Sequence, residues 1–235
     1  MLTGVVTRVL DGDTLVLETG LRVRLAGVNA PEADECYSSQ AADRLRALSG
    51  ADLEIEVVGI DQFDRTLAYV WSQGTLVNLD LVARGLALAS TPAEGDPYGR
   101  SLVQAEEAAY AQRLGMWSPH ACGGGPLPSL EIDPDHSQPN PDGPDEEVLQ
   151  DELVVIVNRG GQPVALGGWV LRDESSRHRY RFPTDAELAP GEVFVVSSDL
   201  PGWDPGGSPV WNNSGDMALL LDPRGTVVDR WRYGR

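Results

Sequence analysis

The sequence predicts a mainly β protein with some α, in two parts: a first half of strands with three helices and a second half that is a β-sandwich. Three observations carry this. Short apolar segments with strand-like alternation recur through the first 72 residues. Three later stretches place apolar residues at helical spacing. From Leu153 onward, six apolar segments recur at roughly ten-residue intervals between Gly, Pro, Asn and Asp turns, the pattern of a sandwich.

The elements follow in order. Residues 3–10, 13–18 and 21–28 alternate or cluster apolar side chains, with Gly20 between the last two, and read as a meander with a tight turn. Ser38 and Ser39 offer a cap to a helix that stops at Gly50. Residues 52–58 and 67–72 are two further strands, separated by a polar loop that carries Arg65. Residues 76–85 make a short helix closed by Gly85. Residues 98–116 make a long amphipathic helix with Leu102, Ala105, Ala109 and Leu114 turned inward. The order is β-β-β-α-β-β-α-α. In the second half the strands are residues 153–157, 169–171, 179–182, 193–196, 218–221 and 227–231, with Trp169 and Trp231 in the core.

Between the halves, residues 121–152 hold six prolines and nine acids but no arginine. Such a composition buries too little surface to offset ordering, so residues 123–150 are expected to be an acidic linker between a domain over 1–122 and one over 151–235. Asp133, Asp135, Asp142 and Asp145 match no EF-hand spacing, which favours a solvated spacer over a calcium loop.

The 235 residues carry a net charge of −18, and all 18 basic residues are arginine. An acidic chain makes a poor nonspecific nucleic-acid binder, so any chemistry on phosphate must rest on local arginines and a bound cation. No apolar run is long enough to span a bilayer. The chain enters a strand pattern at once, so no leader is visible. Cys36 and Cys122 are either two buried thiols or one disulfide. The disulfide would close a loop of 85 residues, about 4–5 kcal/mol in the chain-entropy treatment, and would imply an oxidising compartment.

The chemistry concentrates near the start. Asp13, in Asp11-Gly12-Asp13-Thr14, and Asn29 offer oxygen ligands suited to a hard cation such as Ca2+, together with backbone carbonyls. Glu32 can deprotonate a water for in-line attack. Arg24 and Arg65 can donate to phosphate oxygens. Singly, each has a plain structural explanation, since Asp-Gly-Asp is a common turn and a strand arginine is usually a solvated face.

Residues 3–118 resemble the staphylococcal-type thermonuclease domain. The matching motifs, in chain order, are Asp11-Gly12-Asp13-Thr14, Arg24-Leu25 with Pro31-Glu32, Asp61 with Arg65-Thr66-Leu67-Ala68-Tyr69, Val77-Asn78 with Gly85-Leu86-Ala87, and Leu114-Gly115-Met116-Trp117. The resemblance implies an OB-fold, a five-stranded barrel with three helices. It also implies a calcium-dependent nuclease that hydrolyses DNA and RNA by water attack and leaves 3′-phosphates. On its terms Asp13 is a metal ligand, with Asn29 and the Ala30 carbonyl completing the protein's share. Arg24 and Arg65 bind phosphate, and Glu32 is the general base. Three positions depart from the family: Asn29 replaces an aspartate, Phe63 replaces a tyrosine beside the phosphate, and the nucleotide-flanking tyrosines fall near Thr91 and Ala93. These departures motivate the rival reading of a catalytically weak nucleic-acid- or protein-binding module.

Residues 151–235 resemble the lamin-tail domain, an immunoglobulin-like sandwich. The segments are Val155-Ile156-Val157-Asn158, Leu166-Gly167-Gly168-Trp169, Leu188-Ala189-Pro190-Gly191 and Trp211-Asn212-Asn213. The resemblance implies a recognition or attachment module of unassigned partner. Arg177, Arg179 and Arg181 are either a nucleic-acid contact or a solvated strand face, and His178 has no companion ligand for a metal. A secreted or cell-surface monomer acting on nucleic acid is the expectation as a whole. A disulfide between Cys36 and Cys122 would then lock the active-site loop to the end of the barrel.

Overall fold

The computed structural model describes residues 1–50, 52–123 and 127–234. The chain divides into two compact units, Met1–Cys122 and Gly123–Arg235.

The first unit contains β1 (Leu2–Gly4), β2 (Val6–Val9), β3 (Thr14–Leu17), β4 (Arg22–Leu25), β5 (Val28–Asn29), α1 (Ser38–Leu48), β6 (Leu53–Ile60), β7 (Thr66–Ser72), β8 (Thr75–Leu76), α2 (Val77–Ala83), β9 (Leu88–Ala89) and α3 (Gly99–Ala111). The main sheet runs β1-β6-β7-β4-β3-β2, with β8 on β7. Among the described residues of this unit, only β4 and β7 pair in parallel; Val23 faces Thr66 and Arg24 faces Leu67. β1 and β2 are consecutive in the chain yet lie at opposite ends of that order, on β6 and on β3. One short segment can serve both margins only if the sheet curls round, which gives the OB-type barrel.

The barrel is filled by Leu15, Val23, Leu25, Leu53, Ile55, Ala68 and Val70, all nearly or wholly inaccessible. These are the inward positions of alternating strands, each large one contributing about 1.5–3 kcal/mol by burial. α1 closes one side with Ala41 and Leu45. α2 is tied to the sheet through Asn78, wholly buried, whose Oδ1 accepts from Val70 N–H at 3.0 Å and whose Nδ2 donates to Ala26 O at 2.8 Å. That second bond anchors the chain where it leaves β4 for the candidate site.

Two local expectations are corrected. α1 begins after Tyr37, whose φ of 73° is left-handed, and no side chain caps it, so Ser38 and Ser39 do not act as caps. α3 ends at Ala111 rather than reaching residue 116. Arg113 takes φ 56°, the chain turns at Gly115, and Leu114, expected inside, is 39% exposed. Gly115 packs so tightly against Gly85 that an added Cβ would lie 2.2 Å from the Gly85 carbonyl oxygen.

The second unit contains β10 (Leu130–Ile132), β11 (Leu153–Asn158), β12 (Val164–Ala165), β13 (Val170–Arg172), β14 (Arg179–Arg181), β15 (Glu187–Leu188), β16 (Val193–Ser197), β17 (Trp203–Asp204), β18 (Gly215–Leu221) and β19 (Val227–Gly234). A three-stranded sheet, β10-β11-β16, and a five-stranded sheet, β17-β14-β13-β18-β19, enclose one core, as in an immunoglobulin-like sandwich. Tyr180, Phe182, Phe194, Trp203 and Trp211 pack there through tilted and edge-on ring contacts. Trp169 joins that core, and Trp231 packs against it partly buried.

The expected acidic linker over residues 123–150 is corrected from residue 130 onward; Gly124, Gly125 and Pro126 lie outside the described residues. β10 pairs with β11, and Leu130 and Ile132 are buried in the sandwich core. The Ile132 N–H also donates to Asp229 on β19 at 2.7 Å. Two apolar residues spaced by one suffice to add a strand when a sheet edge is waiting for them. The arginine stripe is not a uniform face either. Arg177 precedes the strand, Arg179 is half-buried and Arg181 is exposed. His178 is buried against Asp173, with Nδ1 3.3 Å from Oδ2.

Candidate active site

The site is built where β3 starts and β4 ends. Asp11 accepts the Asp13 N–H at 3.0 Å, forming a tight turn, and Gly12 sits in that turn against α1 and the β5 end. A Cβ at Gly12 would lie 2.5 Å from the Ala30 Cβ and 2.6 Å from that of Ala41, so only glycine fits. The turn delivers Asp13 into the interior, where it is 7% exposed. Its Oδ1 accepts from the Thr14 hydroxyl at 3.0 Å, and its Oδ2 accepts from the Ala30 N–H at 2.7 Å.

Arg24 leaves β4 and turns onto the same carboxylate, with Nη2 3.1 Å from Asp13 Oδ2. Nη1 donates to the carbonyls of Leu25 at 2.8 Å and Val28 at 2.7 Å, and Nη2 donates to Asn29 Oδ1 at 2.5 Å. The guanidinium is therefore held in one plane by four acceptors. Asn29 in turn donates from Nδ2 to the Ser90 hydroxyl at 3.1 Å. Burial raises the Asp13 carboxyl to about 6, Arg24 opposes that rise, and nearby Asp11 adds to it.

Asp13, Arg24, Asn29 and Ala30 are thus brought into direct contact. Glu32 lies in the adjoining turn with an exposed position; its N–H donates to Glu35 Oε2 at 3.1 Å and its carbonyl accepts from the Glu35 N–H at 2.8 Å. The next residue, Cys36, is bonded to Cys122, as one of the two sequence alternatives expects. Arg65 stands at the entry to β7, one residue before the Val23–Thr66 pairing, and so follows the register that places Arg24 opposite Leu67. Its Nε donates to Asp61 Oδ2 at 2.6 Å, and its guanidinium lies 5.3 Å from the centre of the Phe63 ring. Burial acts to raise Asp61, but N–H donors from Arg65 and Phe63 and the Arg65 charge hold it below the usual carboxylate range. Phe63 is 63% exposed.

Sequence reasoning left three supporting groups without a role. Asp61 was visible four residues before Arg65, a spacing that suits a turn-closing carboxylate. Gly12 was visible inside the Asp-Gly-Asp turn. Ser90 gave no signal, being 61 residues from the side chain it contacts.

A cation for this site would take the Asp13 carboxylate, the Asn29 amide oxygen and the Ala30 carbonyl. All are oxygen donors, and a buried carboxyl raised to about 6 is short of positive charge, so the set fits a hard divalent ion in kind. It supplies one formal charge, and among the described residues no group of three or more His, Cys, Asp or Glu side chains is placed to hold a metal. A surface recess lined by Ala47, Leu48, Gly50, Ser72, Gln73 and Thr75 has no ionisable side chain and is not part of the site. Among the described residues no helix is long and apolar enough to cross a membrane.

Comparison with known proteins places both halves of the chain. The family model for the staphylococcal nuclease homologue matches residues 22–119, and that for the lamin tail domain matches residues 130–235. A micrococcal nuclease of Shigella flexneri is 35% identical over 128 residues, covering 49% of this chain and 73% of the relative. A protein of Haemophilus influenzae named an uncharacterized endonuclease is 33% identical over 118 residues, covering 48% and 65%. A thermonuclease of Staphylococcus intermedius is 32% identical over 124 residues, covering 48% and 74%. Fold and site define an OB-barrel protein with a buried polar cluster at its strand ends, followed by an immunoglobulin-like sandwich. The chain belongs to the staphylococcal nuclease homologues and carries a lamin tail domain after the barrel.

Proposed function

We propose that the first unit is a calcium-dependent nuclease that hydrolyses phosphodiester bonds of DNA and RNA by attack of water and leaves 3′-phosphates. One observation carries the reading. A guanidinium, a buried carboxylate, an amide oxygen and a backbone segment meet within hydrogen-bonding distance at the strand ends of an OB barrel. The relatives named as nucleases support the reaction class.

Asp13, Asn29 and Ala30 would hold the calcium ion, which when bound supplies positive charge beside the phosphate. Arg24, its Nη1 held by the Leu25 and Val28 carbonyls, would turn Nη2 from Asp13 and Asn29 to donate to a phosphate oxygen. Arg65, oriented by Asp61, donates to a second oxygen. Glu32 takes a proton from the attacking water as the water oxygen bonds to phosphorus, and the 5′-oxygen departs, leaving phosphate on the 3′ side. Phe63 offers an exposed ring next to Arg65 for the substrate chain. The sandwich is an accessory recognition or attachment domain, and the protein acts as a monomer outside the cell or at its surface, a location that the Cys36–Cys122 bond supports.

The rival, a binding module with weak or no catalysis, is favoured by a specific feature: of the expected ligands Asp13, Asn29 and Ala30, Asp13 alone carries a carboxylate, and Arg24 already faces it. Digestion decides between them. Purified protein is expected to degrade plasmid and single-stranded DNA with millimolar calcium, and to stop on chelation. Glu32→Gln is expected to abolish turnover with an unchanged melting temperature. Oligonucleotide binding without cleavage in any divalent ion would establish the rival.

A further inference from the structure

We propose that Ser90 is the positioning residue that allows an asparagine to serve at this metal position, by holding the Asn29 amide so that its oxygen, and not its nitrogen, faces the cation. The inference rests on the metal reading above and extends it to a residue outside the ligand set.

A carboxylate presents oxygen from either end, so rotating it by half a turn changes nothing. An amide does not share that symmetry. Turned over, it aims two N–H donors at the cation and ceases to be a ligand. An asparagine at such a site therefore needs something to fix its sense of rotation. Here Asn29 Oδ1 faces Arg24 Nη2 at 2.5 Å, and Nδ2 faces the Ser90 hydroxyl oxygen at 3.1 Å. Arg24 alone does not suffice, because the guanidinium and a cation compete for the same amide oxygen. The Ser90 contact lies on the opposite end of the amide and is independent of that competition.

The serine is itself well placed. The β5–β9 ladder pairs Val28 with Ala89 and Asn29 with Leu88, and the Ser90 N–H donates to the Gly27 carbonyl at 3.0 Å. Both partners are thus fixed to one small backbone frame at the mouth of the site. The Asn29 position and the Ser90 position together do what a single carboxylate would do without help.

The test is a calcium-binding measurement on the full chain, by calorimetry and by terbium luminescence with calcium competition, with melting temperature followed in parallel. Ser90→Ala is expected to raise the calcium Kd about tenfold, the scale on which partners of metal ligands act. Ser90→Thr, which keeps the hydroxyl, is expected to stay near wild type. In an Asn29→Asp background, Ser90→Ala is expected to change Kd less than about twofold, since a carboxylate has no wrong end. An equal loss in both backgrounds would show a purely structural serine and overturn the proposal, as would a Ser90→Ala Kd equal to wild type alongside a weakened Asn29→Ala. Absence of calcium binding by the wild type, or wild-type affinity in Asn29→Ala, would overturn the underlying metal reading and this proposal with it.

Discussion

Asp13 is the side chain on which the site's electrostatics turn. It is buried, it accepts three hydrogen bonds or ion pairs, and burial still leaves its carboxyl raised to about 6. A proton and a cation compete for the same oxygens. Calcium affinity is therefore expected to fall about tenfold per pH unit below that value and to level off above it. Carbon-13 NMR of the Asp13 carboxyl should show a midpoint near 6 without metal and a lower one with calcium; affinity that is flat with pH would remove Asp13 from the ligand set. At this scale the sequence was informative where neighbours in space are neighbours in the chain. Asp13, Arg24 and Asn29 lie within one hairpin and its exit, so their convergence could be anticipated. Ser90, 61 residues further along the chain, is brought in by the β5–β9 ladder, and no local pattern announces it.

Among the elements, the β6–β7 hairpin shows how a loop can hold a charge still. Asp61 accepts from the backbone N–H groups of Phe63 at 2.8 Å and Arg65 at 2.9 Å with one oxygen, and from Arg65 Nε with the other. Asp61→Ala is expected to raise KM and to lower kcat/KM about tenfold while leaving the core intact, because it frees Arg65 without removing it; steady-state kinetics on an oligonucleotide check this. The Asp11–Asp13 turn is stiffer. Gly12→Ala would drive a methyl into Ala30 and Ala41 and is expected to cost about 1–3 kcal/mol, visible in thermal denaturation. Strands and helices were legible because their apolar periodicity extends over several residues. β10 was not, because three residues among prolines and acids carry too little pattern, and only the waiting edge of β11 makes them a strand. The end of α3 was missed for the converse reason: helical spacing continues to Leu114, but Arg113 and Gly115 turn the backbone away.

For the whole molecule, two expectations concern stability. Cys36 and Cys122 join the turn beyond Glu32 to the end of the first unit, and replacing both by serine is expected to remove about 2–5 kcal/mol, read as a lower denaturation midpoint. In the second unit Asp216 is wholly buried, and burial together with Asp173 raises it to about 6 against the pull of the Met217, Glu174 and Asn212 N–H groups. The folded state then holds a proton that the unfolded state has already released above about 4, so this group's contribution to stability falls as pH rises from about 4 to about 6. An Asp216→Asn variant, which cannot titrate, should lose that slope in pH-dependent melting. The two-part organisation itself was readable from composition, since the proline- and acid-rich stretch separates two patterned regions. Its far boundary was not, because average composition hides the Leu130 and Ile132 side chains that belong to the sandwich core.

The opening segment of the chain finally bears on how the barrel comes together. β1 has no partner until Leu53–Ile60 exists, whereas β2 can zip onto β3 at once. During synthesis the ribosome releases that first strand long before its mate, so the seam is sewn late and through a distant contact, the slow kind. Until then an unsatisfied margin faces the crowded cell, and a competing strand that reached it first would trap an open sheet in place of a barrel.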